Sequence, residues 1–171
     1  IGADLRNPQI HKFFELDKSI QGLSDYIYLE NLNWKDLLIK HGSFDVLLSG
    51  KIPPNPTQLL ASNKFDSLLE EVKGLYDYIV IDSAPCLLVS DTFEISKYVG
   101  TTLYVVRSNF SKKNLMEFVN ESKNENKLNN INLIFNCVGS SKSYGYKYGY
   151  QYGYQYGYNY GYGYGYREDK D

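Results

Sequence analysis

Two carboxylates, Asp4 and Asp82, each stand where a short apolar run stops. The run before Asp82, Tyr78-Ile79-Val80-Ile81, is apolar throughout and rich in β-branched residues, which predicts a parallel strand buried on both faces. Ser83-Ala84-Pro85 ends it. In open α/β sheets, ligands bind outside the carboxyl ends of the strands, and an acid there can hold a metal ion or its water. This is the layout of a Walker B strand; the alternative is a buried strand that merely ends in an acidic turn. Ile1-Gly2-Ala3-Asp4 reads as the end of a second strand whose start is missing, so the chain is expected to be a fragment. Mg²⁺ keeps several waters and often takes only one or two carboxylates, so two acids at adjacent strand ends would suffice for it.

Phosphoryl transfer also requires a cradle for the phosphates. No G-x-x-x-x-G-K-[ST] loop is present. The nearest imitation, Gly50-Lys51-Ile52, has Asp45 where the first glycine belongs and Ile52 where a hydroxyl should bind Mg²⁺. If the domain uses ATP, its phosphate loop is expected upstream of Ile1, and the fragment alone is expected to be inert. Cys86 and Cys137 lack C-x-x-C spacing and are expected to be buried, reduced thiols. His11 and His41 offer no ligand spacing either.

The elements that would position the acids follow from periodicity and punctuation. Ile10, Phe13 and Phe14 predict one or two helical turns, and residues 22–27 a short helix. Residues 34–39 read as helical with Leu37 and Leu38 inward, and residues 44–48 as a strand stopped by Ser49-Gly50. Pro53, Pro54 and Pro56 exclude helix and inner strand from the loop that follows. Thr57 opens a helix, and Asn63 is expected to cap the next, which carries Phe65, Leu68, Leu69 and Val72 at i, i+3, i+4 and i+7. Asp91-x-x-Glu94 resembles a capping arrangement opening a helix to about Tyr98, so Asp91 is expected as its cap. A strand over residues 101–106, a helix capped by Ser111 with Leu115, Phe118 and Val119 inward, and a last strand over residues 131–138 complete the order. Strands alternating with helices predict an α/β fold with a doubly wound parallel sheet. Trp34 is expected in a core or interface, and Tyr26, Tyr28, Tyr76, Tyr78, Tyr98 and Tyr104 as packing residues.

Composition changes abruptly after Val138. Tyr144, Tyr146, Tyr148, Tyr150, Tyr152, Tyr154, Tyr156, Tyr158, Tyr160, Tyr162, Tyr164 and Tyr166 alternate with Gly, Gln, Asn or Lys. The alternation suits a strand, but no aliphatic residue accompanies it and glycine makes ordering costly in backbone entropy. A disordered, low-complexity tail is expected. Residues 1–139 then form one domain and residues 140–171 the tail. With 171 residues and a formal charge of −2, the chain suits one domain and carries no nucleic-acid footprint or polybasic anchor. No apolar run approaches the roughly 20 residues that span a bilayer, and no signal peptide is expected in this stretch.

Gly2-Ala-Asp4-Leu-Arg6-Asn-Pro8 resembles the A′ Walker motif of bacterial tyrosine kinases, the autokinases of capsular and exopolysaccharide export. Gly22-Leu-Ser-Asp25, Leu48-Ser-Gly50 with Pro53-Pro-Asn-Pro56 and Leu59-Leu60, then Tyr76-Asp-Tyr-Ile-Val-Ile-Asp82-Ser-Ala-Pro85, follow in the family's order. The tyrosine-rich tail completes a resemblance that covers essentially the whole chain.

The resemblance implies a P-loop NTPase fold related to partitioning ATPases, with ATP and Mg²⁺ as cofactors. It implies that Asp82 holds Mg²⁺ through water and that Asp4 helps bind the ion or accepts the tyrosine proton. Gly2 occupies the place where the family usually has its first acid, which leaves Asp4 as the candidate base. Arg6 is a candidate contact to phosphate or a neighbouring subunit, or a solvated loop residue. Asn136 stands where related ATPases contact adenine. The implied partners are other copies in a ring that phosphorylate one another's tails, an opposing tyrosine phosphatase and the polysaccharide export machinery, with no nucleic acid. The implied location is the cytoplasmic side of the inner membrane. Two other functions suit the same residues: a partitioning or scaffold ATPase without kinase activity, and a non-enzymatic Tyr/Gly interaction module.

Overall fold

A computed structural model describes residues 1–108, 110–111 and 115–138. The tail tyrosines and the domain boundary near residue 139 lie outside the described residues. The helices are α1 (Leu23–Tyr28), α2 (Pro56–Leu60), α3 (Asn63–Lys73), α4 (Asp91–Ser96) and α5 (Leu115–Asn124). The strands are β1 (Leu38–His41), β2 (Phe44–Leu47), β3 (Thr102–Arg107) and β4 (Ile131–Asn136), and short 3-10 turns cover Ile10–Phe14 and Trp34–Leu37.

α3 packs as its periodicity predicts: Phe65, Leu68, Leu69 and Val72 are all buried, against Leu5, Leu23, Trp34 and Leu60. Its cap is Ser62 rather than Asn63, because the Ser62 hydroxyl accepts from the Phe65 N–H. Trp34 belongs to this core and donates its indole N–H to Glu71 at 3.0 Å. The helix expected over residues 34–39 stops early. Leu38 and Ile39 instead pair antiparallel with Leu47 and Val46 across a Gly42-Ser43 turn, where Gly42 has φ 57°.

The parallel arrangement appears in two places. β3 pairs in parallel with β4 over the full length of both. Residues 78–82 run beside residues 1–3 through a parallel bridge between Gly2 and Asp82. Among the described residues no ladder joins these two parts. Residues 78–82 are therefore covered on one face only. Ile79 and Ile81 pack toward the core, whereas Tyr78 and Val80 are 91% and 78% exposed, which corrects the expectation of burial on both faces. Tyr78 and Val80 line a cavity of about 460 Å³ with Ile1, Phe14, Trp34 and Val46. Tyr28 is also exposed rather than packed. β4 ends at Asn136, short of Val138, and is largely exposed. The Ser111 hydroxyl accepts from the Arg107 N–H at 2.9 Å, and the cap expected of it for α5 falls on residues 112–114, outside the described residues. Cys86 and Cys137 are partly exposed rather than buried; burial still pushes the Cys86 thiol up to about 11. Among the described residues, no helix is long and apolar enough to cross a membrane.

Candidate active site

The backbone brings the two acids together. The Asp82 N–H donates to the Ile1 carbonyl at 2.9 Å, and the Ala3 N–H donates to the Asp82 carbonyl at 2.7 Å. Gly2 thus lies beside Asp82, and Asp4 follows two residues on. Asp4 is buried, and its Oδ1 accepts from the backbone N–H groups of Arg6 at 3.1 Å and Asn7 at 2.9 Å. These bonds close the loop on its own acid and orient the carboxylate. Asp82 keeps access to solvent. The protein around it nevertheless raises its pKa, first by loss of hydration and second by the charge of Asp4.

The chemistry of such a pair would suit a hard cation. Two oxygen ligands with mutual repulsion fit Mg²⁺, which completes its shell with water and phosphate oxygens. Among the described residues no group of three or more His, Cys, Asp or Glu side chains could hold a metal ion. Gly2 is held closely: a Cβ there would meet Ser49 Oγ at 2.7 Å and the Ser49 N at 3.1 Å. A second acid at that position would require Ser49 to move.

A lock between two loops supports this end of the molecule. The N–H groups of Leu23 and Ser24 donate to the carbonyls of Leu48 and Ser49 at 2.8 and 2.9 Å. Asp25 Oδ2 accepts from the N–H groups of Gly22 at 3.0 Å and Lys51 at 3.2 Å, and Ser24 Oγ donates to the Lys51 carbonyl at 2.6 Å. A Cβ on Gly22 would lie 2.2 Å from the Leu48 oxygen, and Gly50 has φ 78°. Both positions therefore require glycine. The motif residues 22–25 and 48–51 hold each other, with Ser49 between them against Gly2.

Arg6 sits in a buried network that sequence reading missed. Its Nε donates to Asp91 Oδ2 at 2.6 Å and its Nη2 to Asp91 Oδ1 at 2.9 Å. Asp91 is fully buried and is the first residue of α4; Ser90 precedes it at the cap position. The expectation of Asp91 as a helix cap is corrected: its carboxylate is spent on Arg6 and on Thr57 Oγ1 at 2.6 Å. Arg6 is likewise not a solvated loop residue. The two partners are 85 residues apart, so no local spacing could have paired them. Asn136 lies at the exposed end of β4, opposite Arg107, and its side chain accepts from the Cys137 N–H at 2.7 Å. The structure does not bring Asn136 into contact with the acid pair.

The mixed α/β order with its parallel pairings is that of the P-loop NTPase fold. No protein-family profile matches the chain. Individual proteins do. The chain is 32% identical over 148 residues to the tyrosine-protein kinase CpsD of Streptococcus agalactiae, covering 85% of this chain and 63% of that protein. It is 38% identical over 110 residues to the tyrosine-protein kinase Etk of Escherichia coli K12, covering 63% of this chain and 15% of Etk. The solved kinase domain of E. coli ETK superposes with a TM-score of 0.74 at 32% identity, over 87% of this chain and 58% of that one. The VpsO kinase domain gives a TM-score of 0.72 at 30% identity, over 79% of this chain and 67% of that domain. The chain belongs to the bacterial tyrosine-protein kinase family. It spans only a minor part of its longer relatives, such as Etk.

Proposed function

We propose that this chain is part of a bacterial tyrosine autokinase that transfers the γ-phosphate of ATP to tyrosines of its own C-terminal cluster. The observation that carries the reading is the parallel bridge between Gly2 and Asp82, with Asp4 two residues further along the neighbouring segment and near enough for its charge to raise the Asp82 pKa. The phosphate-cradling loop, for which these 171 residues have no motif, belongs to the remainder of the protein. Mg²⁺, when bound, supplies positive charge against the phosphate oxygens. Asp82, the solvent-facing acid, would hold the ion through water, and Asp4 would help hold it or take the proton of the incoming tyrosine.

In the transfer, a tyrosine Oη forms the new bond to the γ-phosphorus as the bond to the bridging β–γ oxygen breaks. ADP leaves, and the phenolic proton passes to Asp4. Asp4 is oriented for this by the N–H groups of Arg6 and Asn7. Asn136 is the candidate adenine contact, reached by the nucleotide from the β4 side. Arg6, engaged with Asp91, acts on its loop rather than as a primary phosphate ligand.

Residues 144–166 are the acceptors. Fully extended they reach roughly 75 Å at about 3.3 Å per residue, enough to cross to a neighbouring subunit. The assembly is a ring of copies at the cytoplasmic face of the membrane, opposed by a tyrosine phosphatase and coupled to capsular or exopolysaccharide export. Transfer between subunits has a direct test in the full-length protein. A Asp82→Ala copy with its tail intact is mixed with an active copy lacking residues 140–171, in the presence of Mg-ATP. Phosphotyrosine on the Asp82→Ala copy supports the reading. ATP hydrolysis without phosphotyrosine contradicts it and favours a partitioning-type ATPase.

A further inference from the structure

We infer that α4 is the positioning element of the metal site, with Asp91 holding the loop of Asp4 and Thr92 holding the turn after Asp82. The inference rests on the metal-binding reading of the two acids and assigns residues that the reading leaves without a role.

Asp91 and Thr92 are consecutive, yet each reaches a different acid's surroundings. Asp91 takes both forks of the Arg6 guanidinium, at 2.6 and 2.9 Å. Thr57 closes the group, accepting from Arg6 Nη2 at 3.0 Å while donating to Asp91 at 2.6 Å. The backbone N–H of the same Arg6 donates to Asp4 Oδ1. Arg6 therefore touches the acid at one end and α4 at the other. Thr92 Oγ1 donates to the Ala84 carbonyl at 2.6 Å and lies 3.2 Å from Ser83 Oγ. Ser83 and Ala84 directly follow Asp82. The two acids come from segments 78 residues apart in the chain (82 − 4), and one turn of α4 is bonded to both of their loops.

The geometry suits the task. A bidentate Arg–carboxylate pair fixes orientation as well as distance, and a buried one resists solvent competition. A divalent cation shared by two carboxylates needs them placed within a few tenths of an ångström. α2 packs against α4, and Thr57 belongs to α2, so the support is itself braced by a second helix. Neither Asp91 nor Thr92 needs to touch the ion.

The test uses the full-length protein with ADP, titrated with Mn²⁺ as the Mg²⁺ probe and read by the loss of the free-Mn²⁺ electron paramagnetic resonance signal. Melting temperature is measured on every variant. Asp91→Asn strands a buried guanidinium and is expected to lower both Mn²⁺ affinity and melting temperature. The double variant Arg6→Met with Asp91→Leu removes both charges and is expected to recover most of the stability while still binding Mn²⁺ at least tenfold more weakly. Thr92→Val is expected to weaken Mn²⁺ binding several-fold with little change in melting, and Thr92→Ser to bind as the parent does. Recovery of Mn²⁺ affinity along with stability in the double variant, or parental affinity in Thr92→Val, overturns the inference and leaves α4 as packing alone. Asp82→Ala separates the two levels. If it too binds Mn²⁺ like the parent, the metal reading fails; if it alone weakens binding, only the role of α4 fails.

Discussion

Asp4 and Asp82 repel each other as long as no cation lies between them, and the protein around Asp82 sharpens the repulsion by limiting its hydration. If the two acids share a metal as proposed, the site is strained without it. Asp82→Asn is therefore expected to raise the melting temperature of the metal-free protein while abolishing metal-dependent phosphorylation, a gain in stability at the expense of function. A lower melting temperature in the metal-free variant would contradict this. Asp45 illustrates the opposite case. Its carboxylate accepts from Lys40 Nζ and from Tyr76 Oη, both at 2.6 Å, and these bonds hold its pKa below the ordinary value, Lys40 most of all. A depressed carboxylate pKa means that its stabilisation is complete above the unfolded value of about 3.9 and is lost as pH falls through the folded one. An NMR titration of Asp45 should give a midpoint below about 3.9, and Tyr76→Phe should move it upward. Both acids of the candidate site were legible in the sequence because each ends an apolar run. Asp91 was not, because its partner lies across the fold and its local context imitates a capping box.

The elements divide by how local their causes are. α3 was readable because its four inward residues recur at helical spacing and all meet the same core. β2 was readable too, over residues 44–48, but its hairpin partner β1 was not, because Leu37 and Leu38 satisfy a helical face as well as a strand. The Gly42-Ser43 pair between two apolar runs was the available signal for a two-residue turn. Residues 78–81 have the composition of a doubly covered strand, but their outer face carries no packing among the described residues. Composition reports what a strand can bury, and the neighbours decide what it does bury. The lock between residues 22–25 and 48–51 supplies the sharpest prediction at this scale. Gly22→Ala places a methyl 2.2 Å from the Leu48 carbonyl and should destabilise the protein by about 3 kcal/mol or prevent folding. Gly74→Ala, whose Cβ would meet the Glu71 oxygen at an ordinary 3.6 Å, should be close to neutral. Chemical denaturation of the two variants side by side checks the contrast.

At the scale of the molecule, the α/β class and the kinase family both follow from short motifs whose order carried more than any one of them. The motifs turn out to be largely architectural. Gly22, Asp25 and Gly50 serve the lock, and Arg6 ties its loop to α4. Their order was legible because each marks a contact that the fold cannot omit. Residues 144–166 add the tyrosines that the proposed reading makes the acceptors. Each phosphotyrosine contributes about −1.5 to −2 charge at pH 7, so several would turn a nearly neutral segment strongly anionic. That repulsion should loosen a ring of subunits, and the phosphorylated full-length protein should sediment as a smaller species than the unphosphorylated one. Identical sedimentation would contradict the coupling.

The most direct measurement maps phosphate by mass spectrometry on the full-length protein after incubation with Mg-ATP, with Asp82→Ala in parallel. The account predicts phosphate on tyrosines within residues 144–166 of the parent and none on the variant. Phosphotyrosine that persists in Asp82→Ala, or a parent that consumes ATP and leaves those tyrosines unmodified, would contradict it.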